Sequence, residues 1–168
     1  LLGVTELYNA KRKLATIIVC PYQHLVEQWN EDVKEFNIDP VLCYSKYDWK
    51  SKVYRKVKFI NNDTIDNFTI ITTNATFVLN EMQDFISQIN CDILLLVDEA
   101  HNASAETMKK CLDSKYKYRL GLSATPKKFR DDESTDFIFD FFGGEVYSFD
   151  LKRAIDEQFL TKYFYYPH

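Results

Sequence analysis

Short apolar runs alternate with helical periods along most of the chain. Leu1, Val4, Leu7 and Tyr8 fall on one helical face. Lys11, Arg12 and Lys13 follow, where cations suit the negative end of a helix dipole. Ala15 to Cys20 is rich in β-formers and stops at Pro21. Leu25, Trp29, Val33 and Phe36 recur at helical spacing and predict a helix over 24–36. A short strand is expected at 41–44, then a helix over 46–60 with Trp49, Val53, Val57 and Ile60 on one face. A strand over 68–72 precedes a third long helix over 75–89, carried by Val78, Met82, Phe85 and Ile89. Asp92 to Val97 is a continuous apolar strand of the kind buried on both faces. Residues 104–112 read as helical and 118–122 as a strand. Phe137 to Phe142 reads as a short helix closed by Gly143 and Gly144. A strand at 146–149, a helix at 151–159 and an extended tail over 160–168 complete the pattern.

Strands alternating with helices imply right-handed βαβ units. The expected fold class is therefore α/β: a three-layer parallel sheet with helices on both faces. Ligands on such sheets bind at the carboxyl ends of the strands. Composition agrees with an ordinary folded domain. The 168 residues are 46% hydrophobic and 27% charged, which excludes intrinsic disorder. With only 4 Gly and 4 Pro, collagen-like and low-complexity chains are excluded as well. No apolar run approaches the roughly 20 residues of a membrane span. The start of the chain has neither a basic region nor a Met and reads as neither a secretory signal nor a natural start.

Cys20, Cys43, Cys91 and Cys111 lie far apart, with no C-x-x-C. They read as reduced, mostly buried thiols of a cytoplasmic protein. The formal net charge of −4 gives no global pull toward nucleic acid, although a local basic stripe would suffice.

The residues just after each strand carry the candidate chemistry. After 92–97 comes Asp98-Glu99-Ala100-His101. An aspartate at the end of a buried aliphatic strand is suited to holding Mg²⁺ through water, because that ion keeps few carboxylates. Glu99 beside it would orient or deprotonate an attacking water. For D-E alone the plain alternative is a solvated acidic turn. After 118–122 come Ser123 and Thr125, small hydroxyl residues able to bond the Asp98–His101 turn from the next strand, or simply an ST-turn before Pro126. His101 follows the acids directly and could bridge to Ser123. After 15–20, Pro21-Tyr22-Gln23-His24 opens a helix whose free N–H groups suit a phosphate. Leu25, Val26 and Trp29 there read as core packing. Thr72-Thr73-Asn74 is a second hydroxyl-rich helix start, equally readable as an N-cap.

These residues resemble a family. Leu94 to His101 looks like motif II of the superfamily-two helicases and translocases, and Ser123-Ala124-Thr125 like motif III. Pro21 to Trp29 resembles motif Ia, and Ile71 to Asn74 the next nucleic-acid motif. Phe142 to Leu160 resembles the end of the first motor domain in the subgroup of type III restriction subunits and excision-repair helicases. The resemblance implies a RecA-like P-loop NTPase domain using ATP and Mg²⁺ to move along nucleic acid, most directly DNA. It implies Asp98 on the metal, Glu99 on water, and His101, Ser123 and Thr125 as relays of the nucleotide state. Tyr22, Gln23, Thr72 and Thr73 become the nucleic-acid contacts, mainly through main-chain N–H groups.

The chain departs from the family at one place: no G-x-x-x-x-G-K-[ST] phosphate loop, nor any Gly–Lys pair, occurs. The expectation is an incomplete domain over 1–149, with a terminal helix and linker toward a second motor domain over 150–168. Such a piece binds ATP poorly and does not turn it over. An RNA-directed member of the superfamily and a non-catalytic nucleic-acid-binding or scaffold module stay open as alternatives.

One further stretch is ambiguous. Lys46, Lys50, Lys52, Arg55, Lys56 and Lys58 interleave with Tyr44, Tyr47, Trp49, Tyr54 and Phe59. Such a pattern can track a phosphate backbone and stack bases. The plainer reading, and the one preferred, is an amphipathic helix whose Trp49, Val53, Val57 and Ile60 face is core and whose bases are solvated.

Overall fold

A computed structural model describes residues 1–124 and 132–161. Helix α1 (Leu2–Ala10) leads into β1 (Leu14–Cys20), α2 (Gln23–Lys34), β2 (Val41–Cys43) and α3 (Lys50–Asn61). Then follow β3 (Asn67–Thr73), two short helices α4 (Asn74–Phe77) and α5 (Asn80–Ser87), and β4 (Asp92–Val97). A 3-10 turn (Ala100–Ser104), α6 (Glu106–Lys109), β5 (Tyr118–Gly121), α7 (Asp132–Phe142) and α8 (Leu151–Asp156) complete the order.

All five strands are parallel, in the order β2-β3-β1-β4-β5. Side chains alternate across the strands, so β1 feeds both faces. Ile17 and Val19 join the core under α3 to α6, whereas Ile18 and Cys20 pack with Val26 and Val33 of α2. Val4 of α1 packs on Leu14 and Leu94. The result is the three-layer parallel α/β arrangement that the alternating pattern implies, of the RecA-like kind that the family resemblance implies. Thr16 and Thr69 face each other in the middle of the sheet and are both buried. The Tyr8 hydroxyl meets their hydroxyls at 2.9 and 2.7 Å, so neither is left unbonded.

Several expected elements come out differently. The helix expected over 46–60 begins only at Lys50. Tyr44 and Tyr47 both donate to Glu27, and this pins the preceding residues in a turn. The single helix expected over 75–89 is two. The Thr73 hydroxyl caps α4, Leu79 is extended, and Gln83 bonds the freed Phe77 carbonyl at 2.6 Å. Of the helix expected over 104–112 one α-helical turn forms, Glu106–Lys109, after the 3-10 turn over Ala100–Ser104. Residues 146–149 form no strand: among the described residues no strand pairs with them, and Val146 is 85% exposed. Helix α7 ends as expected, with Gly143 and Gly144 at φ of 88° and 87° and both N–H groups bonded to the Phe139 carbonyl. Of the expected tail, residues 162–168 lie outside the described residues.

Gly121 ends β5 where the chain has no room for a side chain. A methyl group there would sit 3.0 Å from the Ala100 Cβ and 3.2 Å from the Phe142 ring. Gly121→Ala is therefore expected to lower stability by about 1–3 kcal/mol through overpacking. Urea unfolding measures this, and an unchanged midpoint would mean that the turn and α7 move apart freely.

Candidate functional site

The site grows out of the end of β4. Leu95, Leu96 and Val97 are buried, and the strand is hydrogen-bonded on both sides. A carboxylate could not follow inside this core without a partner. Asp98 emerges at the first position where the sheet meets open space, while its N–H still continues the ladder to the Val19 carbonyl at 2.8 Å. The tail of β5 closes the other flank. Leu122 N–H donates to the Val97 carbonyl at 2.9 Å, and Ala100 N–H to the Leu122 carbonyl at 2.8 Å.

Both oxygens of Asp98 are engaged. The Trp29 indole donates to Oδ2 at 2.9 Å, and the Glu99 N–H to Oδ1 at 3.0 Å. Trp29 is thus a site residue that an apolar reading of α2 overlooks. An indole N–H must find an acceptor when it is covered, but nothing in the spacing of α2 says which one. Glu99 adopts a left-handed conformation, φ 50° and ψ 52°. This is costly for a residue with a Cβ and persists only where the surroundings hold it. Its carboxylate comes within 3.2 Å of His101 Nδ1, and the same nitrogen lies 3.1 Å from Ser123 Oγ. Glu99, His101 and Ser123 therefore form one connected chain from β4 to β5. A neutral ring carries one proton at most on Nδ1, so the carboxylate and the hydroxyl share that nitrogen.

Asp98, Glu99 and Ser123 line a cleft of about 560 Å³. Its far wall is Phe139 and Phe142 of α7 together with Tyr147 and Phe149 of the irregular segment after it. Arg119 borders the cleft too, but its guanidinium bonds the Tyr116 and Phe141 carbonyls and stacks 4.6 Å from the Phe141 ring. It serves to dock α7. Thr125 lies outside the described residues.

The expected nucleic-acid residues divide. Tyr22 is 61% exposed and stands at the start of α2, which has no side-chain cap. Gln23 is exposed and reaches Ser45 at 3.4 Å. Thr72 and Thr73, by contrast, turn their side chains inward. The Thr72 hydroxyl is fully buried and donates to the Cys43 carbonyl, and that of Thr73 caps α4. These two can offer main chain only.

A family model described as the type III restriction enzyme res subunit matches residues 2–128. The chain belongs to this family. It thereby stands among the superfamily-two helicases and translocases, as its motifs imply. Putative helicase 109L of Invertebrate iridescent virus 3 is 31% identical over 147 residues, which is 86% of this chain and 41% of that protein. The DNA 3'-5' translocase XPB2 of Sulfurisphaera tokodaii is 27% identical over 158 residues, 90% of this chain and 30% of the relative. A type I restriction enzyme EcoAI endonuclease subunit of Escherichia coli is 36% identical over 74 residues, 42% of this chain and 9% of its own length. The chain thus spans less than half of each curated relative. Among the described residues, no helix of this res-family chain is long and apolar enough to cross a membrane.

Cys20 ends β1 below Asp98. Burial, and then the Asp98 carboxylate, push its thiol from 9.0 up to about 12. Burial raises Cys43 likewise. The folded chain thus keeps protons that the unfolded chain gives up. Their stabilisation is complete below pH 9 and is lost as pH rises from there toward about 12. Urea unfolding at increasing alkaline pH should show stability falling, by about 1.4 kcal/mol per pH unit for each such thiol. A flat profile through that window would contradict the assignment.

Trp29→Phe removes the donor to Asp98 and is expected to cost about 1.5 kcal/mol. Combined with Asp98→Ala in a double-mutant cycle, it should show a coupling of about 1 kcal/mol or more. Additive losses would reduce Trp29 to a packing residue.

Proposed function

We propose that this chain is part of the first motor domain of a DEAH-type enzyme that couples ATP hydrolysis to movement on DNA. One observation carries the reading: the Asp98–Glu99 pair sits at the end of a buried parallel strand and is joined through His101 to Ser123 on the neighbouring strand. DNA is preferred because two similar proteins are named as a DNA translocase and a restriction-enzyme subunit.

The donor set suits Mg²⁺. Among the described residues no group of three or more His, Cys, Asp or Glu could cage a metal. An ion that keeps its waters and takes one carboxylate fits Asp98 better than one that needs a full protein cage. When bound, Mg²⁺ supplies positive charge to the phosphate oxygens. Trp29 and the Glu99 N–H hold the Asp98 carboxylate in one orientation, which lowers the cost of assembling the site. Glu99 takes the role of orienting water and accepting its proton. Its left-handed backbone and its contact with His101 limit where its carboxylate can go. His101 and Ser123 tie that carboxylate to the neighbouring strand, and Thr125 is assigned to the same relay by the family pattern. A change in what fills the cleft is then felt along the sheet. Tyr22 and Gln23 at the uncapped start of α2, and the main chain at Thr72 and Thr73, are the proposed nucleic-acid contacts. The second motor domain of the longer protein is the proposed partner, approached through 150–168.

The test is Glu99→Gln in a polypeptide that carries these residues together with a phosphate loop. Turnover should fall by about 100-fold or more, with ATP affinity little changed. Normal turnover would remove Glu99 from this role. The 168 residues by themselves lack the loop and should hydrolyse ATP no faster than buffer, with or without DNA. DNA-stimulated turnover that Glu99→Gln abolishes would overturn that expectation. Activation by RNA and not DNA would reassign the polymer.

A further inference from the structure

A second cleft, of about 470 Å³, lies at the β2 edge of the sheet. This is the opposite edge from β5, which borders the Asp98 cleft. Lys34 reaches it from the end of α2, and Lys52, Arg55 and Lys56 reach it from α3. Tyr47 and Asp39 complete the rim. The β2 residues Val41 and Leu42 also line it, and among the described residues β2 pairs only with β3, which leaves its outer edge open there.

The charge balance is unusual for a chain of net charge −4. Four cations border this cleft against the single carboxylate of Asp39. Among the described residues, Lys52, Arg55 and Lys56 make no ion pair. Lys34 meets only Glu31, at 3.3 Å on the surface. Like charges at i, i+3 and i+4 repel on a helix. Their neighbours along the chain are paired: Lys46 with Glu27 and Lys50 with Glu81.

The fold also splits the interleaved aromatics. Trp49 and Tyr44 are buried in the core, and Tyr47 is pinned by Glu27. Tyr54 and Phe59 remain exposed on α3. A merely solvated helix face accounts for a stripe on α3. It does not account for Lys34 converging from another helix on the same concavity, beside an open strand edge.

We propose that this cleft binds the phosphodiester backbone of a single-stranded nucleic acid, with Lys34, Lys52, Arg55 and Lys56 on the phosphates and the rings of Tyr47, at the rim, and Phe59, one turn along α3 from Arg55, beside the bases. The site is separate from the strand ends and does not depend on the ATPase reading. Cations on a concave surface gain affinity by releasing counterions from the polymer, and aromatic faces stack bases without reading sequence.

The experiment follows a fluorescein-labelled oligothymidylate on the 168-residue chain by anisotropy across a salt series. Reversing Lys52, Arg55 and Lys56 together to Glu should weaken binding by about 10-fold and reduce the salt slope by about 2. The conservative set Lys52→Arg, Arg55→Lys and Lys56→Arg should keep both near wild type, which separates charge from folding. Should the triple reversal fail to fold, photo-crosslinking of a 5-iodouracil oligonucleotide to the wild-type chain decides. Adducts at Tyr47 or Phe59 support the site, and adducts confined to 21–24 and 72–74 overturn it. An unchanged affinity and slope in a folded reversal variant overturns it too. So does competition by polyglutamate but not by tripolyphosphate, which would assign the cleft to an acidic protein segment.

Discussion

Strand β4 is hydrogen-bonded to a neighbour on each side and covered by side chains on each face, so its polar residues can appear only at its ends. That constraint places two carboxylates at one lip of the sheet and nowhere deeper. The Asp98 N–H still belongs to the ladder, through Val19, so the first acid is set by the sheet's own register and not by a loop. Everything nearby inherits this precision. Ala100 is tied back to Leu122, Gly121 is bare because Ala100 and Phe142 crowd it, and Glu99 holds a backbone shape that few residues adopt unaided.

The same sheet separates charge. Its β5 side carries the acids beside a wall of aromatic rings, and its β2 side carries Lys52, Arg55 and Lys56, which make no ion pair among the described residues. A negative net charge is therefore a poor guide to the fields around this molecule, since local patches decide what approaches each edge. Helix α3 shows how one element serves two purposes. Val53, Val57 and Ile60 anchor it in the core, and that anchoring fixes where Lys52, Arg55 and Lys56 point.

Most strands were legible because a buried parallel strand needs an unbroken apolar run, and few other structures do. The Asp98–Glu99 turn was legible for the same reason: acids directly after such a run have one place to go. Trp29 was not, because its ring satisfies the apolar periodicity of α2 whether or not its N–H is used. The division of 75–89 into α4 and α5 was hidden as well. Val78, Met82, Phe85 and Ile89 reach the same core from two short helices as from one long one. Residues 146–149 have β-forming side chains, yet among the described residues they pair with no strand, and propensity by itself makes none.

Local pattern alone thus determined the order of the elements, the parallel sheet, the buried strand and the acids that follow it, because burial on both faces and helical spacing are written in nearest neighbours. Only the folded chain decided that Trp29 reaches Asp98 across 69 positions, that His101 stands between Glu99 and Ser123, and that Lys34 joins the cations of α3. Those contacts depend on how distant segments are brought side by side, and no spacing along a single segment encodes that distance.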